Sequence, residues 1–551
     1  MAIELYPPSR STVKSFSSRF ALQRDNWNDY GFQTLYHLHY RHSNEPRDVT
    51  YLGGVKILKR GQTAADRPLI QESFQRLGPE FVSVGTSLDY YQRLNDVPAE
   101  RRASIMRALN DAVAHPELVD DFSREEGWSV SVFRDNSDWR TFLADATILF
   151  QGNFGALPNL DTGFSFTPSG TDHAIRLDFS APEPITYFGS HRRVGPSWKP
   201  TLLPDRIIVL IGRNGSGKST LLSRLAHVAF ASPQERINPQ IKNLGALSPP
   251  SIGFMRVITI SYSAFDSFIV PGLATRDLSQ ITRDIENGEG RFVFCGLRDI
   301  AAEVRDDVEL AEKSAGDSEA VERRTSTRLK SVDFLAEEFA SLLSRIRNDQ
   351  TTELFRAALE PLVADPSFTD LKQQTDQILE SARRARQIFL GWSTGHKIAL
   401  HVLASLVANA KPRSLILFDE PEAHLHPPLM AALMHAVRLV LTEVNAFCVV
   451  ATHSPVLLQE TLARHVRIVE RVGDRLEIAT PPLETFGENI GLLSYGTFGL
   501  TASSTDFHKI LDLLIDGCDT LQEIDEFFTP GLSAQARAYV LSRLATKGED
   551  A

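Results

Sequence analysis

The run Arg206-Ile-Ile-Val-Leu-Ile-Gly212-Arg-Asn214-Gly215-Ser216-Gly217-Lys218-Ser219-Thr220 constrains this chain more than any other stretch. It is an apolar strand signal, then a glycine-rich turn, then a helix start, and it matches G-x-x-x-x-G-K-[ST] with the context that motif needs on both sides. Glycines let the backbone curl until successive N–H groups point inward at phosphate oxygens. The helix that follows adds its positive end. Lys218 supplies a point charge to the β- and γ-phosphates, and Ser219 a hydroxyl for Mg²⁺. Gly212, Asn214, Gly215, Ser216, Gly217, Lys218, Ser219 and Thr220 are therefore the residues expected to hold a nucleoside triphosphate.

About 200 residues after the lysine, Ser414-Leu-Ile-Leu-Phe-Asp419-Glu420-Pro-Glu422 is an apolar strand that ends in carboxylates. A buried strand of an open α/β sheet delivers its last residues to the rim where ligands sit. Asp419 is placed to hold Mg²⁺, and Glu420 to accept a proton from an attacking water. An apolar run ending in two acids is a weak signal alone; paired with the phosphate loop it is a specific one. Ala446 to Ser454 is another buried-strand run, and it ends in His453, a residue type that can sense a γ-phosphate. Upstream of both, Leu390-Gly-Trp-Ser393-Thr-Gly395-His-Lys397 opens the helical stretch Ile398 to Ala408. A serine capping a helix start makes an anion site. One chain needs one phosphate loop for its own nucleotide, so a second such site suggests contact with the γ-phosphate of another molecule.

These four pieces, in this order, resemble the ATPase heads of the ABC/SMC/RecF class. Lys218 matches the Walker A lysine, Ser393 and Gly395 the signature motif, Asp419 and Glu420 the Walker B acid and catalytic glutamate, and His453 the switch histidine. The wording DEPEAHLHPPL (Asp419 to Leu429), ATHSPVLLQE (Ala451 to Glu460) and TFGENIGLL (Thr485 to Leu493) is similar to the OLD-like and Septu phage-defence ATPases of PtuA type. The resemblance implies an ATP- and Mg²⁺-dependent ATPase that forms a homodimer with two nucleotides between its heads. It also implies a partner effector nuclease of HNH (PtuB-like) type, with nucleic acid or a retron reverse transcriptase and its msDNA as further partners. Two family features have no clear counterpart. The Q-loop glutamine is missing, with Ser263 or Asp266 in its neighbourhood, and the adenine-stacking aromatic is open between Tyr187 or Phe188 and neither. The alternative reading is an SMC/RecF-like DNA-repair or DNA-organising ATPase. The stretch from Ala301 to Ile388 is too short for a coiled-coil arm and lacks sustained heptads.

The fold class expected is α/β: a P-loop NTPase head of ABC type with an inserted helical lobe, a mixed α+β N-terminal region and a short, mainly helical C-terminal tail. The boundaries read as 1–184 for the N-terminal region, 185–300 and 389–500 for the two parts of the head, 301–388 for the lobe and 501–551 for the tail. In the N-terminal region, Phe32 to Tyr40 and Val49 to Leu58 read as a hairpin, Ala99 to Ala114 as a helix and Trp128 to Phe133 as a strand. In the lobe, Leu335, Phe339, Leu342 and Ile346 mark one apolar helical stripe.

The chain's 551 residues are 42% hydrophobic and 23% charged, which argues against a disordered protein. A net charge of −11 argues against a general nucleic-acid coat. Arg383, Arg384 and Arg386, and Arg323, Arg324, Arg328 and Lys330, form local basic patches that could bind nucleic acid, a structured RNA–DNA element or an acidic partner, with a solvated helix face as the plainer reading. Cys295, Cys448 and Cys518 are too sparse and odd a set for a disulfide framework. Met1 to Pro8 does not read as a signal peptide, and no apolar run approaches the ~20 residues of a membrane span. The expectation is a cytoplasmic chain with no membrane partner. His37 and His39 could share a strand face, but no third ligand is placed by spacing, so a metal there is not expected. Fewer than 100 residues follow His453. They contain no Asp-x-Asp pair and no histidine cluster of HNH type, so no nuclease activity of the chain's own is expected.

Overall fold

The computed structural model describes residues 2–7, 16–26, 28–41, 49–66, 70, 72–86, 88–94, 97–134, 139–151, 163–171, 173–179, 203–231, 235–250, 252–264, 266, 270–271, 290–313, 326–473, 475–498 and 506–549. Tyr187, Phe188, Arg323 and Arg324 lie outside the described residues.

The N-terminal unit is a five-stranded sheet in the order β1 (Ile3–Tyr6), β2 (Phe20–Arg24), β3 (Leu35–Arg41), β4 (Val49–Lys59), β5 (Phe81–Gly85). β1 runs parallel to β2 and every other neighbour is antiparallel. The core holds Tyr36, Leu38 and Val55 from the sheet with Tyr90, Tyr91, Ile105, Phe142 and Ala146 from the helices beside it. Two expectations are corrected here. Trp128–Val132 is a π-helical turn rather than a strand: the Phe133 N–H reaches back to the Trp128 carbonyl at 2.8 Å. Burial of the indole against Phe133 and Trp139 overrides the alternating pattern. The helix Ala99–Ala108 also stops short of Ala114. Asn110 takes a left-handed φ of 50°, and its side-chain amide donates to the carbonyls of Leu77, Gly78 and Phe81, a use of asparagine that ends a helix. His37 is held by Tyr51 and Asp25 at 2.7 Å each, so its ring nitrogens are both engaged.

A three-stranded antiparallel sheet joins β6 (Phe164–Pro168) to β7 (Ile175–Leu177) and to β9 (Gly245–Ser248). Phe164, Phe166, Ile175 and Leu177 share a core with Leu221, Leu222 and Leu225 of the helix Lys218–Phe230. Residues 163–179 therefore belong to the head, and the boundary at 184 falls too late. The sequence hid this because β6 and β7 find their partner strand beyond the phosphate loop.

The central sheet has seven strands in the order β11 (Phe292–Gly296), β10 (Val257–Ser261), β12 (Leu415–Asp419), β13 (Phe447–Thr452), β8 (Ile207–Ile211), β14 (Val466–Val472), β15 (Arg475–Ala479). It is parallel except for the β14–β15 hairpin. Its strands are apolar throughout because both faces are covered. Ile208, Leu210, Leu415, Leu417, Phe447 and Val449 face the helix Lys218–Phe230. Ile207, Val209, Ile416, Phe418, Cys448 and Val450 face the opposite core. That core is built by the helix Thr394–Asn409, the helix Pro427–Val444 and the lobe helices Val332–Asn348, Thr352–Val363, Thr369–Glu380 and Ala382–Gly391. Lobe and head thus share one continuous core, with Phe339, Leu343, Phe355 and Phe389 fully buried where the lobe helices meet.

Pro427–Val444 is also the one described helix long and apolar enough to cross a bilayer. Leu429, Met430, Leu433, Val437 and Val440 spend that apolarity in the core. The C-terminal helices Asp506–Gly517, Leu521–Asp525 and Ala534–Glu549 close over a small core of their own, Leu511, Ile515, Ile524 and Val540.

Candidate functional site: a phosphate loop, two carboxylates and a histidine at one sheet edge

Parallel strands end on the same side, and the register sets which ends meet. Asp419 pairs with Ser261 on one side and Ala451 on the other, and Ile211 pairs with Thr452. The residues after Ile211, after Phe418 and after Thr452 therefore line one rim. Gly212 leaves β8 so close to β14 that an added Cβ would sit 2.1 Å from the Val469 carbonyl oxygen. Gly217, the N-cap of the helix Lys218–Phe230, has a φ of 98° that L side chains rarely adopt.

Lys218 is 5% exposed, and its Nζ donates to the carbonyls of Gly212 (2.9 Å) and Arg213 (3.1 Å), which hold it within the loop. Burial lowers its pKa, against the pull of Glu420, Asp419 and Glu422. The Ser216 hydroxyl is buried with no hydrogen-bond partner, an unmet polar group inside a loop whose N–H groups suit phosphate. Ser219 Oγ donates to Asp419 Oδ1 at 3.0 Å. Burial raises the Asp419 pKa to about 7; Glu420 and Asp266 add to the rise, and Ser219 and Lys218 oppose it. A hydroxyl with a buried, crowded carboxylate is a hard-oxygen donor set that a divalent cation would relieve, so Ser219 and Asp419 fit Mg²⁺, and the loop fits the phosphates of ATP.

Glu420 sits at φ 48°, ψ 61°, left-handed for a non-glycine residue. Its N–H bonds the Ala451 carbonyl at 2.9 Å, which fixes the turn and leaves the side chain about one-third exposed at the rim. His453 Nδ1 lies 4.0 Å from Glu420 Oε1 and 3.2 Å from Glu422 Oε1. The structure thus brings together Lys218, Ser219, Asp419, Glu420 and His453.

Ser393 is placed elsewhere. It is exposed and caps the helix Thr394–Asn409, its Oγ accepting the His396 N–H at 3.4 Å. Gly395 backs onto the turn after Asp419, where a Cβ would stand 3.1 Å from the His424 carbonyl. His396 packs against Phe368 with the rings tilted by 48° and reaches Ser367 Oγ. Ser393 itself, at the cap of this helix start, stands exposed.

Of the two Q-loop alternatives, Asp266 is the one that lines the small cavity beside Ser219 and Asp419. Arg298, 2% exposed, bonds it at 3.2 Å and also pairs with Glu303 at 2.6 Å. Sequence reasoning missed Arg298, Glu303 and the role of Glu422. No spacing rule marks them: Arg298 reaches Asp266, and Glu422 reaches Thr452 and His453, from segments about 30 residues apart. Among the described residues of the basic patches, Arg386 pairs with Asp333 and Glu337, Arg328 with Asp306 and Lys330 with Glu338. Among the described residues no group of three or more His, Cys, Asp or Glu is arranged to hold a metal.

Residues 304–459 match the family described as "AAA domain, putative AbiEii toxin, Type IV TA system". That span holds Ser393, Asp419, Glu420 and His453 but not the phosphate loop. The chain is 26% identical to protein ea59 of Escherichia phage lambda, over 99% of this chain and 97% of that protein. It is 24% identical to Septu protein PtuA of Bacillus thuringiensis, over 46% of this chain and 67% of that protein. A solved metal-chelate-type ABC transporter in an inward-facing conformation is 14% identical over 58% of this chain, at a TM-score of 0.25, too low to bear on the fold. With the phosphate loop and Walker B end at one rim, the chain carries a P-loop ATPase domain.

Proposed function

We propose that this chain hydrolyses ATP, pairs with a second copy of itself around the nucleotide, and regulates a partner nuclease of HNH type in antiviral defence. The observation that supports hydrolysis best is the Ser219–Asp419 bond at 3.0 Å with Glu420 next along the same strand end. Lys218 and the loop N–H groups bind and orient the triphosphate. Ser219 and Asp419 would hold Mg²⁺, with Asp266 beside them; the cation, when bound, neutralises charge on the phosphate oxygens. Glu420 accepts the proton of the attacking water, and His453 faces the γ-phosphate. Ser393, exposed at a capped helix start, completes the site of the other copy.

The defence and partner parts rest on the shorter of the two protein likenesses, to the Septu protein; the likeness that spans the whole chain is to a phage protein of another name. Two experiments test the reading. Lys218→Ala should weaken ATP binding by at least about tenfold in calorimetry, since a charged hydrogen-bonded contact of roughly 1.5–3 kcal/mol is lost; unchanged affinity would sink the phosphate-loop reading. For the defence role, cells carrying the chain with its flanking genes should restrict phage plating, and Lys218→Ala should abolish that restriction. Equal plating with and without the wild-type cassette against a broad phage panel counts against defence while leaving the ATPase reading intact.

A further inference from the structure

Glu422 stands in the turn Pro421–His424, just past the Walker B carboxylates, and its side chain is only 11% exposed. The hydrolytic scheme above gives it no task. Its Oε1 accepts the Thr452 hydroxyl at 2.8 Å and the His453 backbone N–H at 2.7 Å. The same oxygen lies 3.2 Å from His453 Nδ1. Thr452 Oγ1 in turn accepts the Ser454 N–H at 2.9 Å. One carboxylate oxygen therefore gathers the end of β13, the His453 backbone and the His453 ring.

The second oxygen, Oε2, is buried and meets no hydrogen-bond partner. A neutral acceptor would satisfy the Thr452 and His453 donors without leaving a charged oxygen dry. What the carboxylate adds is its charge facing the imidazole. A carboxylate at one ring nitrogen fixes the tautomer and the ring plane, and so decides which way the other nitrogen points.

We propose that Glu422 is a positioning residue for ATP hydrolysis: it holds the His453 ring by Nδ1 and keeps the 452–454 loop in register with the turn that carries Glu420. The proposal rests on the reading of His453 as the γ-phosphate contact. It predicts an effect mainly on turnover, because Lys218 is held by the carbonyls of Gly212 and Arg213, and the charge of Glu422 acts on it less than those of Glu420 and Asp419.

Glu422→Gln tests it, since the amide keeps an acceptor for Thr452 and the His453 N–H, removes the charge and puts an NH2 group where the unpartnered Oε2 stands. Expected is a fall in kcat of about 10–100-fold with KM for ATP within about threefold of wild type. His453→Ala should fall similarly. The double variant should be no slower than His453→Ala within about threefold, because Glu422 acts through that ring. Thr452→Val, which removes the threonine leg and leaves the charge on the ring, should lose less kcat than Glu422→Gln. All variants are compared at matched melting temperature, and any that melts more than a few degrees low is assayed below its own transition. Wild-type kcat in Glu422→Gln overturns the proposal. So does a double variant whose loss equals the product of the two single losses, as a merely structural tie would give. A His453→Ala enzyme that turns over normally removes the reading of His453 itself. Loss of turnover in His453→Ala with none in Glu422→Gln removes only the role of Glu422.

Discussion

At the scale of single residues, Arg298 shows what sequence motifs leave unseen. It is 2% exposed and stands between Asp266 and Glu303, which are buried as well. Glu303 also accepts the Arg328 backbone N–H at 2.9 Å. Replacing Arg298 by methionine keeps the bulk and removes the guanidinium that two buried carboxylates share. We expect a loss of about 3–5 kcal/mol in stability, read from urea unfolding; a loss under 1 kcal/mol would show that water already solvates those acids. Lys218, Ser219, Asp419 and Glu420 were legible because their chemistry forces a fixed local order: strand, turn, residue. Arg298 and Glu422 work by reaching across parallel strands whose register the sequence does not print, and the same register is what selects Asp266 over Ser263. For Glu420 the expectation is simple. Glu420→Gln retains Asp419 for the cation and loses the base, so ATP should still bind while turnover falls by about 10²–10⁴-fold. Hydrolysis by that variant at the wild-type rate would assign the base to another group.

At the scale of elements, the helix Thr394–Asn409 is both the carrier of Ser393 and the hub of the core. Its apolar run was legible as a helix. Its buried polar centre was not, since His401 looks like any residue in an apolar stretch. His401 Nδ1 lies 2.5 Å from Tyr262 Oη and 3.7 Å from Cys295 Sγ, and Nε2 lies 3.4 Å from Glu338 Oε2. Lys330 Nζ closes the cluster on Glu338 at 2.8 Å. Burial opposes a charge on His401, yet Cys295 and Glu338 outweigh it and carry the imidazole up to about 9. Burial likewise opposes the charge on Glu338, and His401 and Lys330 overcome it, bringing the carboxyl down to about 2. The folded pKa of His401 stands above its unfolded 6.5, so its contribution is whole below pH 6.5 and is lost as pH rises through 9. That of Glu338 is whole above pH 4.5 and is lost as pH falls through 2. Between pH 4.5 and 6.5 both are in place. The His401 share of stability, read from the melting temperature of the nucleotide-free protein, should therefore decline from pH 6.5 to 9, by on the order of 3 kcal/mol at most. The Cys295 thiol, which burial pushes up but His401 holds below its ordinary value, returns part of it over the same range. His401→Leu should flatten that alkaline limb relative to wild type. An identical slope in the variant would assign the decline to other groups.

At the scale of the whole molecule, the lobe is the element whose presence was legible and whose relation to the head was not. Its helices were marked by a stripe at helical spacing, but the sharing of one core with the sheet depends on packing between segments far apart in sequence. Phe339 and Leu343 of the lobe and Val402 and Leu403 of the signature-bearing helix are all buried in it. A rigid lobe would carry Ser393 as one body with the head, which is what a composite site between two copies requires. In the proposed pairing, the capped start of Thr394–Asn409 would meet the γ-phosphate held by Lys218 of the other copy, adding roughly 1.5–3 kcal/mol through one charge-assisted hydrogen bond. Ser393→Arg places a bulky cation where two surfaces close. ATP should still bind each monomer through its own loop, while ATP-dependent association and hydrolysis fall together, as measured by sedimentation and phosphate release. Mixing Ser393→Arg subunits with Lys218→Ala subunits under exchange gives heterodimers in which one composite site carries both lesions and the other carries neither. Some ATPase activity should return in that mixture. Two inactive variants that exchange and never complement would mean that Ser393 serves its own chain or that both sites must be intact together. A Ser393→Arg monomer that no longer binds ATP would select the first of these, since a residue acting only across the interface has no means of weakening capture in a single copy.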